Sequence, residues 1–117
     1  MVKYTILQIV DPETTGCKYA FINYNYAKSH GFDLVNHYAV TYRGEVRYAT
    51  SETIPYMILE NLFVKFNQRR PDDFFGHSLS VSDVVILEYD GHPSRFFYCD
   101  SLGWREITTE ASSFNLI

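Results

Sequence analysis

The sequence predicts an α+β fold: a single compact domain with a mostly antiparallel sheet, one main amphipathic helix and a C-terminal β-meander. The chain has 117 residues, of which 46% are hydrophobic, so it can bury a core of ordinary size without metal or disulfide support. The window from Ile58 to Phe66 repeats apolar residues at helical spacing, which predicts the helix. Elsewhere, short apolar runs are separated by clusters of turn-forming residues, which predicts strands. We therefore treat residues 1–117 as one domain, with residues 108–117 as a candidate flexible tail.

Four strands are predicted in the N-terminal half, from β-branched and aromatic runs bounded by turn formers. They are Lys3 to Val10, Tyr19 to Tyr24, Asn36 to Tyr42, and Val46 to Ala49, which returns antiparallel after a turn at Gly44-Glu45. The first strand is expected at or near the centre of the sheet. In the third, alternation puts Tyr38 and Tyr42 on one face, and we favour a core face over a contact surface because a strand must bury one face.

A short helix is predicted from Asn25 to His30. Asn23 or Asn25 can cap its N-terminus, since an asparagine side chain accepts a hydrogen bond from a free amide of the first turn. Gly31 is expected to end it.

The main helix is predicted to begin after residue 51 and to end near Asn67. Thr53 is its candidate cap, and Pro55 suits the first turn because the missing amide hydrogen costs nothing there. A continuous apolar stripe marks the face that we expect to be buried. It consists of Ile58, Leu59, Leu62, Phe63 and Phe66.

The C-terminal half is predicted to be a β-meander that follows an extended loop. The loop holds Arg70-Pro71-Asp72-Asp73, because a residue that precedes proline avoids helical backbone angles, and we expect Phe74 and Phe75 to pin it to the core. Three strands follow, with turns between them. They are Val84 to Tyr89, Arg95 to Cys99, and Trp104 to Ile107.

Charge and cysteine content argue against several classes of function. The net charge is −4 and no basic run is longer than Arg69-Arg70, so direct binding of nucleic acid is not expected. Cys17 and Cys99 lie far apart and form no Cys-x-x-Cys pair, which is typical of reduced thiols and predicts a cytoplasmic protein. No window approaches the roughly 18 apolar residues of a membrane span, and the N-terminus does not resemble a signal peptide.

Residue types of a hydrolase triad occur at His77, Ser78, Asp83 and Asp100, but no nucleophile elbow surrounds the serine. We favour a structural interpretation, in which His77 is a hydrogen-bonding residue at a loop closure. In this interpretation, three polar side chains accept hydrogen bonds from nearby backbone amides, namely Ser80, Ser82 and Asp83. The side chains between them, Leu79 and Val81, enter the core. No catalytic residue is assigned, and a hydrolase using His77 and Ser78 remains an alternative.

Metal ions and cofactors are not expected. The four histidines and two cysteines show no spacing typical of metal ligands, and none of the six glycines lies in a phosphate-binding motif.

The segment from Phe66 to Trp104 resembles the YodL-like domain of Firmicutes plasmids and conjugative elements. The family signature comprises Phe-Asn, Arg-Pro, Asp-Phe, Gly-His-Ser-Leu-Ser-Val-Ser-Asp, a Tyr-containing strand and Asp-Ser-Phe-Gly-Phe; here Leu102 and Trp104 replace the last two aromatics. The resemblance is close over 66–104 and looser in the opening strand and the main helix. The matching structural positions are Arg70, Pro71, Gly76, His77, Ser78, Ser80, Asp83, Asp100, Ser101 and Gly103.

The resemblance implies a role in conflict between a mobile element and its host. YodL-like domains are carried beside anti-restriction genes and within large conjugative proteins, and are thought to counter host functions. One chromosomal relative is linked to inhibition of the bacterial actin-like cytoskeleton. The family offers no established catalytic residues to transfer to this chain.

Composition suits a protein binder, because 10 Tyr, 9 Phe and 1 Trp exceed what a small core needs. We expect a non-enzymatic inhibitor that occludes the basic nucleic-acid surface of a host defence protein such as a CRISPR nuclease or a restriction enzyme. The alternative is a binder of a cytoskeletal or division protein through apolar contacts, and a homo-oligomer is possible through an exposed strand edge. Candidate contact residues are Glu88, Asp90, Tyr38, Tyr42 and Trp104.

Overall fold

The structure is a computed structural model that describes residues 1–10 and 21–109, where five antiparallel strands and three helices form. The elements are β1 (Val2–Ile9), α1 (Tyr24–Ser29), α2 (Leu34–His37), β2 (Tyr38–Val46), α3 (Pro55–Gln68), β3 (Val84–Tyr89), β4 (Arg95–Asp100) and β5 (Gly103–Glu106). The strand order is β2-β1-β3-β4-β5, so β1 pairs with strands on both sides. This confirms the α+β class, the C-terminal meander and the near-central first strand.

Both faces of the sheet are covered. Side chains alternate along each strand, so odd and even positions feed two separate cores. The first core lies under α3 and contains Tyr4, Ile6, Ile58, Phe66, Leu87 and Phe97. The second lies under α1 and α2 and contains Leu7, Tyr24, Leu34, Tyr38, Phe96 and Tyr98. The apolar stripe of α3 is confirmed, because four of its residues are buried and Phe63 is partly buried.

A β-bulge in β2 separates Tyr38 from Tyr42. Ile6 faces Tyr42, but the next residue, Leu7, faces Val40, so Thr41 is an extra residue without an opposite partner. One extra residue inverts the alternation. Tyr38 therefore enters the α1/α2 core while Tyr42 packs against the α3 core, and the prediction that both rings share one face was wrong.

The predicted turn at Gly44-Glu45 was also wrong. β2 continues to Val46, which pairs with Val2, and no strand returns over Val46 to Ala49. Gly44 is needed for packing, because a Cβ there would lie 2.5 Å from the ring of Tyr4.

Helix boundaries correct three further expectations. Phe21 has φ of +61° and Tyr24 already belongs to α1, so the described part of the predicted strand Tyr19 to Tyr24 is not a strand. Asn23 caps α1 as predicted, with its Oδ1 2.9 Å from the amide nitrogen of Tyr26. Residues 34–37 form α2 because Asp33 caps them, which delays the start of β2. Ile54, not Thr53, is the N-cap residue of α3, and Thr53 Oγ1 accepts a hydrogen bond from the Thr50 amide.

The loop that follows α3 is anchored by only one of its two phenylalanines. Phe74 is buried, but Phe75 is 92% exposed, so the prediction that both pin the loop was half right. At the other end of the meander, Thr108 Oγ1 accepts a hydrogen bond from the amide of Phe96. The rest of the predicted tail, from residue 110 onward, and Cys17 lie outside the described residues. No described helix has both the length and the apolar character that a membrane crossing requires.

Candidate functional site at the loop end of the sheet

Most of the signature residues gather at one end of the sheet, where β1 and β4 finish and β3 begins; we call it the loop end. The strand register pairs Leu7 with Val84 and Val84 with Tyr98. One residue further along, Gln8, Asp83 and Cys99 therefore stand side by side on the face that packs against α3. The amide of Cys99 donates to the carbonyl of Asp83 at 2.8 Å, which continues the ladder to this row.

Gln8, His77 and Asp83 form a polar cluster at this row, in which Gln8 and Asp83 are buried and His77 is exposed. Asp83 Oδ2 accepts hydrogen bonds from the Ser80 amide at 2.8 Å and from Gln8 Nε2 at 3.1 Å. Gln8 Nε2 also donates to the carbonyl of His77 at 2.8 Å, and Asp83 Oδ1 lies 3.7 Å from His77 Nε2. Burial raises the pKa of Asp83 to about 7, although the Ser80 amide, the His77 ring and Gln8 act to lower it.

Both ring nitrogens of His77 have polar neighbours, although the side chain is 42% exposed. Nδ1 lies 2.7 Å from the Ser78 carbonyl and 3.3 Å from Gln8 Nε2. Nε2 faces the Asp83 carboxyl. Among the described residues, no hydrogen bond joins the Ser78 hydroxyl to His77, which is the contact that marks a serine nucleophile and its base.

Glycine and serine positions of the signature shape the backbone around this cluster. A Cβ on Gly76 would fall on Gln8 Oε1 and lie 2.9 Å from Phe74 Cζ. Ser82 has φ of +81°, and its Oγ accepts a hydrogen bond from the Phe21 amide at 3.0 Å. Acceptance from a nearby amide is therefore confirmed for Asp83, which accepts from Ser80, whereas Ser82 accepts from the distant Phe21 amide. For Ser80 the prediction was wrong, because its hydroxyl is buried with no partner within the described part of the chain.

The second half of the signature holds the turn between β4 and β5. Asp100 Oδ1 accepts hydrogen bonds from the Ser101 amide at 2.8 Å and from the Tyr24 amide at 3.2 Å, which ties the start of α1 to the turn. Gly103 has φ of +109°, a conformation that suits glycine. Earlier in the signature, Pro71 supplies a carbonyl to the Phe74 amide at 3.0 Å, and Arg70 is exposed.

Three apolar side chains are exposed on the loops of this end; we call them the loop-end apolar set. Phe21 is 58% exposed, Phe75 92% and Leu102 98%. The backbone is nevertheless restrained at Phe21 and just before Leu102. Phe21 is bonded to Ser82 and its ring lies 5.6 Å from that of His77, while Leu102 follows the bonded Asp100-Ser101 pair. None of the three was among the contact residues that the sequence suggested.

A groove of about 460 Å³ opens beside this set; we call it the Trp104 groove. Its walls are α3 on one side and the β4–β5 turn on the other, and its floor includes the buried residues Leu79 and Cys99. Burial, followed by the charges of Asp83, Glu60 and Asp100, raises the pKa of the Cys99 thiol to about 12. The lining residues are Glu60, Phe63, Asn67, Leu79, Ser80, Val81, Cys99, Asp100, Ser101, Gly103 and Trp104.

The five candidate contact residues from the sequence do not form one surface. Tyr38 is buried, and the Tyr42 hydroxyl donates to Asp73 Oδ1 at 3.1 Å from a half-buried ring. Trp104 lines the groove at the loop end. Glu88 and Asp90 lie at the opposite end of β3 and are exposed.

Acidic residues of the meander are dispersed rather than clustered. Lys3 stands opposite Glu88 in the sheet, and Glu106 is held by Arg95 through bonds of 2.7 and 2.9 Å. The Arg95 guanidinium accordingly lowers the pKa of Glu106. Because Asp83 is buried and Glu106 is paired, two of these acids are not available as free surface charge.

Comparison with known proteins identifies the domain. A search of curated proteins and a search of solved structures found no match. The family model described as the YodL-like domain matches residues 3–109, which include both halves of the signature, all of β2 to β5 and β1 from its second residue onward. The chain therefore belongs to the YodL-like domain family.

Proposed function

We propose that this domain is a small, non-enzymatic protein-binding inhibitor, encoded by a mobile element and acting in the cytoplasm against a host protein. The observation that carries the proposal is the loop-end apolar set. Large apolar side chains that are mostly exposed on restrained loops are typical of interaction sites, because their burial on binding releases water at little conformational cost.

The polar cluster supports a binding role rather than catalysis. A general base needs a ring nitrogen within reach of a substrate, but Nδ1 of His77 is bonded to a backbone carbonyl and Nε2 faces Asp83. The same bonds fix the loop that carries Phe75. The cluster thus restrains a contact surface, and a hydrolase using His77 and Ser78 is the weaker proposal.

Two classes of host target remain proposals: a nucleic-acid-binding defence nuclease of the CRISPR or restriction type, and a cytoskeletal or division protein. Occlusion of a basic nucleic-acid channel by charge would require a contiguous acidic surface. The dispersed acids of the meander do not supply one, so contact with either target rests mainly on apolar side chains. The dispersed placement of the acidic residues supports the cytoskeletal alternative more strongly than the sequence alone does.

The test is quantitative capture of a host protein by matched variants. Phe75→Ser and Leu102→Ser should each lower recovery of the specific partner at least tenfold, the loss of about 1.4 kcal/mol that a contact residue supplies. Tyr48→Ser is the control, because Tyr48 is 59% exposed but lies after the other end of β2. Undiminished capture by both loop-end variants would contradict the proposal.

Salt concentration separates the target classes in the same assay. Apolar binding should change little between low and high salt, whereas masking of a nucleic-acid channel uses many ion pairs and should weaken steeply. Reversal of charge at Glu88 and Asp90 adds a second criterion. If that variant loses binding at low salt but binds like the wild type at high salt, the result would support electrostatic masking of a nucleic-acid channel.

A further inference from the structure

We propose that the Trp104 groove receives an arginine or lysine side chain of the protein partner, next to the contact made by the loop-end apolar set. This inference rests on the proposed function and adds the chemistry of the partner to it. The partner segment would present one cationic side chain beside an apolar one.

The shape of the groove fits such a side chain. Its volume of about 460 Å³ falls within the range of small-ligand sites, and one end of it is the turn that carries Leu102. Phe63 and Trp104 stand on opposite walls, from α3 and β5. Apolar walls suit the methylene stem of arginine or lysine, and an aromatic face attracts the cation.

The charged residues that line the groove are all acidic. Glu60 projects from α3, and Asp100 lies at the end of β4 across from it. Among the described lining residues there is no lysine, arginine or histidine. The carboxylates of Glu60 and Asp100 both act to raise the pKa of the Cys99 thiol at the floor, so the fields of both reach inside the groove.

Other polar groups on the walls are already engaged. The Asn67 side-chain amide donates to the carbonyls of Phe63 and Leu79 at 2.7 and 3.0 Å, so it braces the wall. Asp100 keeps its two amide donors on Oδ1, which leaves its negative charge in place. Glu60 is exposed on the helix surface and is the acid whose removal disturbs the fold least.

N-acetyl-arginine amide is the probe, with N-acetyl-citrulline amide as its uncharged isostere. Trp104 is the single tryptophan of the chain, so its fluorescence reports directly on the groove. Millimolar arginine amide should change this fluorescence saturably and should shift the amide resonances of Leu79 and Cys99. The citrulline compound should bind at least fivefold more weakly, since it lacks the charge.

Glu60→Gln should weaken binding of the arginine amide about fivefold, the upper range for one exposed ion pair, whereas Glu88→Gln should leave it unchanged. Equal binding of the citrulline compound, or no effect of Glu60→Gln, would overturn the inference. Its failure is distinguishable from that of the proposed function. If capture of the partner is lost in Leu102→Ser but unchanged in Glu60→Gln, the proposed inhibitor function stands and the proposed cation site is contradicted.

Discussion

Replacement of Asp83 by asparagine tests the polar cluster most directly, because the substitution keeps the geometry and removes the titration. Both hydrogen bonds to the carboxyl, from the Ser80 amide and from Gln8 Nε2, end on Oδ2. An asparagine oxygen in that position can accept both. Its amide nitrogen would then replace Oδ1, which has no hydrogen-bond partner in the described structure, and could donate to His77 Nε2.

The direction of the pH effect follows from the raised pKa. An unfolded aspartate ionises near 3.8, whereas burial keeps Asp83 protonated in the fold up to about pH 7. Between these values the folded state binds more protons, so stability decreases as pH rises. The contribution is complete below the unfolded pKa and is lost through pH 7. Its size is on the order of 2 to 4 kcal/mol, set by a shift of about three pKa units at about 1.4 kcal/mol each.

The measurement is urea unfolding of the wild type and the Asp83→Asn variant at several pH values from 4.5 to 8. Their difference in unfolding free energy cancels the other carboxyl groups, including Glu106, whose lowered pKa works in the opposite direction. We expect the variant to gain about 2 to 4 kcal/mol on the wild type from pH 4.5 to pH 8. Glu88→Gln is the exposed control and should track the wild type.

The opposite slope would refute this reasoning. If Asp83 were ionised and paired with a protonated His77 in the fold, its folded pKa would lie below 3.8. A series extended to pH 3 would then show the wild type gaining on the variant as pH rises toward 4, and the expected loss between pH 4.5 and 6 would be absent. A difference that stayed constant with pH would equally show that burial of the carboxyl does not govern its protonation.

Two predictions concern packing. Phe66→Ala should destabilise the fold by about 3 to 5 kcal/mol in thermal or urea unfolding, because this fully buried ring contacts aromatic rings from β2 and from the loop after α3. The control is Val64→Ala, at an exposed position of the same helix, which should change the unfolding free energy by no more than about 0.5 kcal/mol. Equal losses in the two variants would show that the wrong helix face was assigned. Gly76→Ala should cost about 1 to 3 kcal/mol because its Cβ meets Gln8 and Phe74, and in a double-mutant cycle Gln8→Ala should recover part of that loss. Additive losses would contradict the predicted clash.

Local patterns were sufficient for much of the fold. The stripe of α3 and the strands of the meander were predictable because helical spacing and turn residues coincide with the tertiary structure there. The bulge at Thr41 was not, since an extra residue is visible only against the register of the neighbouring strand. Gly44 was mistaken for a turn residue for the same reason. Its requirement comes from the Tyr4 ring across the strand pair, which sequence neighbours do not reveal.

The site was predictable only in part. Asp83, His77 and Gly76 attract attention because they are clustered in the sequence, but Gln8 lies about 70 residues away and is the common partner of the other three. A polar residue on the buried face of β1 was the available signal, since a buried amide requires hydrogen-bonding partners. Glu60 gave no signal, because an acid on an exposed helix face is ordinary. Only its position across from Asp100 makes it notable.

The placement of the signature gives a structural reason for residue types that resemble those of a catalytic site. A loop with little regular structure has few backbone bonds of its own, so its position must be set by side chains that reach into the sheet. Asp83 fixes it to β1 through Gln8, and Asp100 fixes the neighbouring turn to α1. Charged and hydroxyl side chains are suited to that task because each accepts several amide hydrogens. The side chains that these restrained loops expose to solvent are apolar, namely Phe75 and Leu102. Selection on such a segment would therefore preserve the buried polar residues for geometry and leave the exposed apolar ones free to follow the partner.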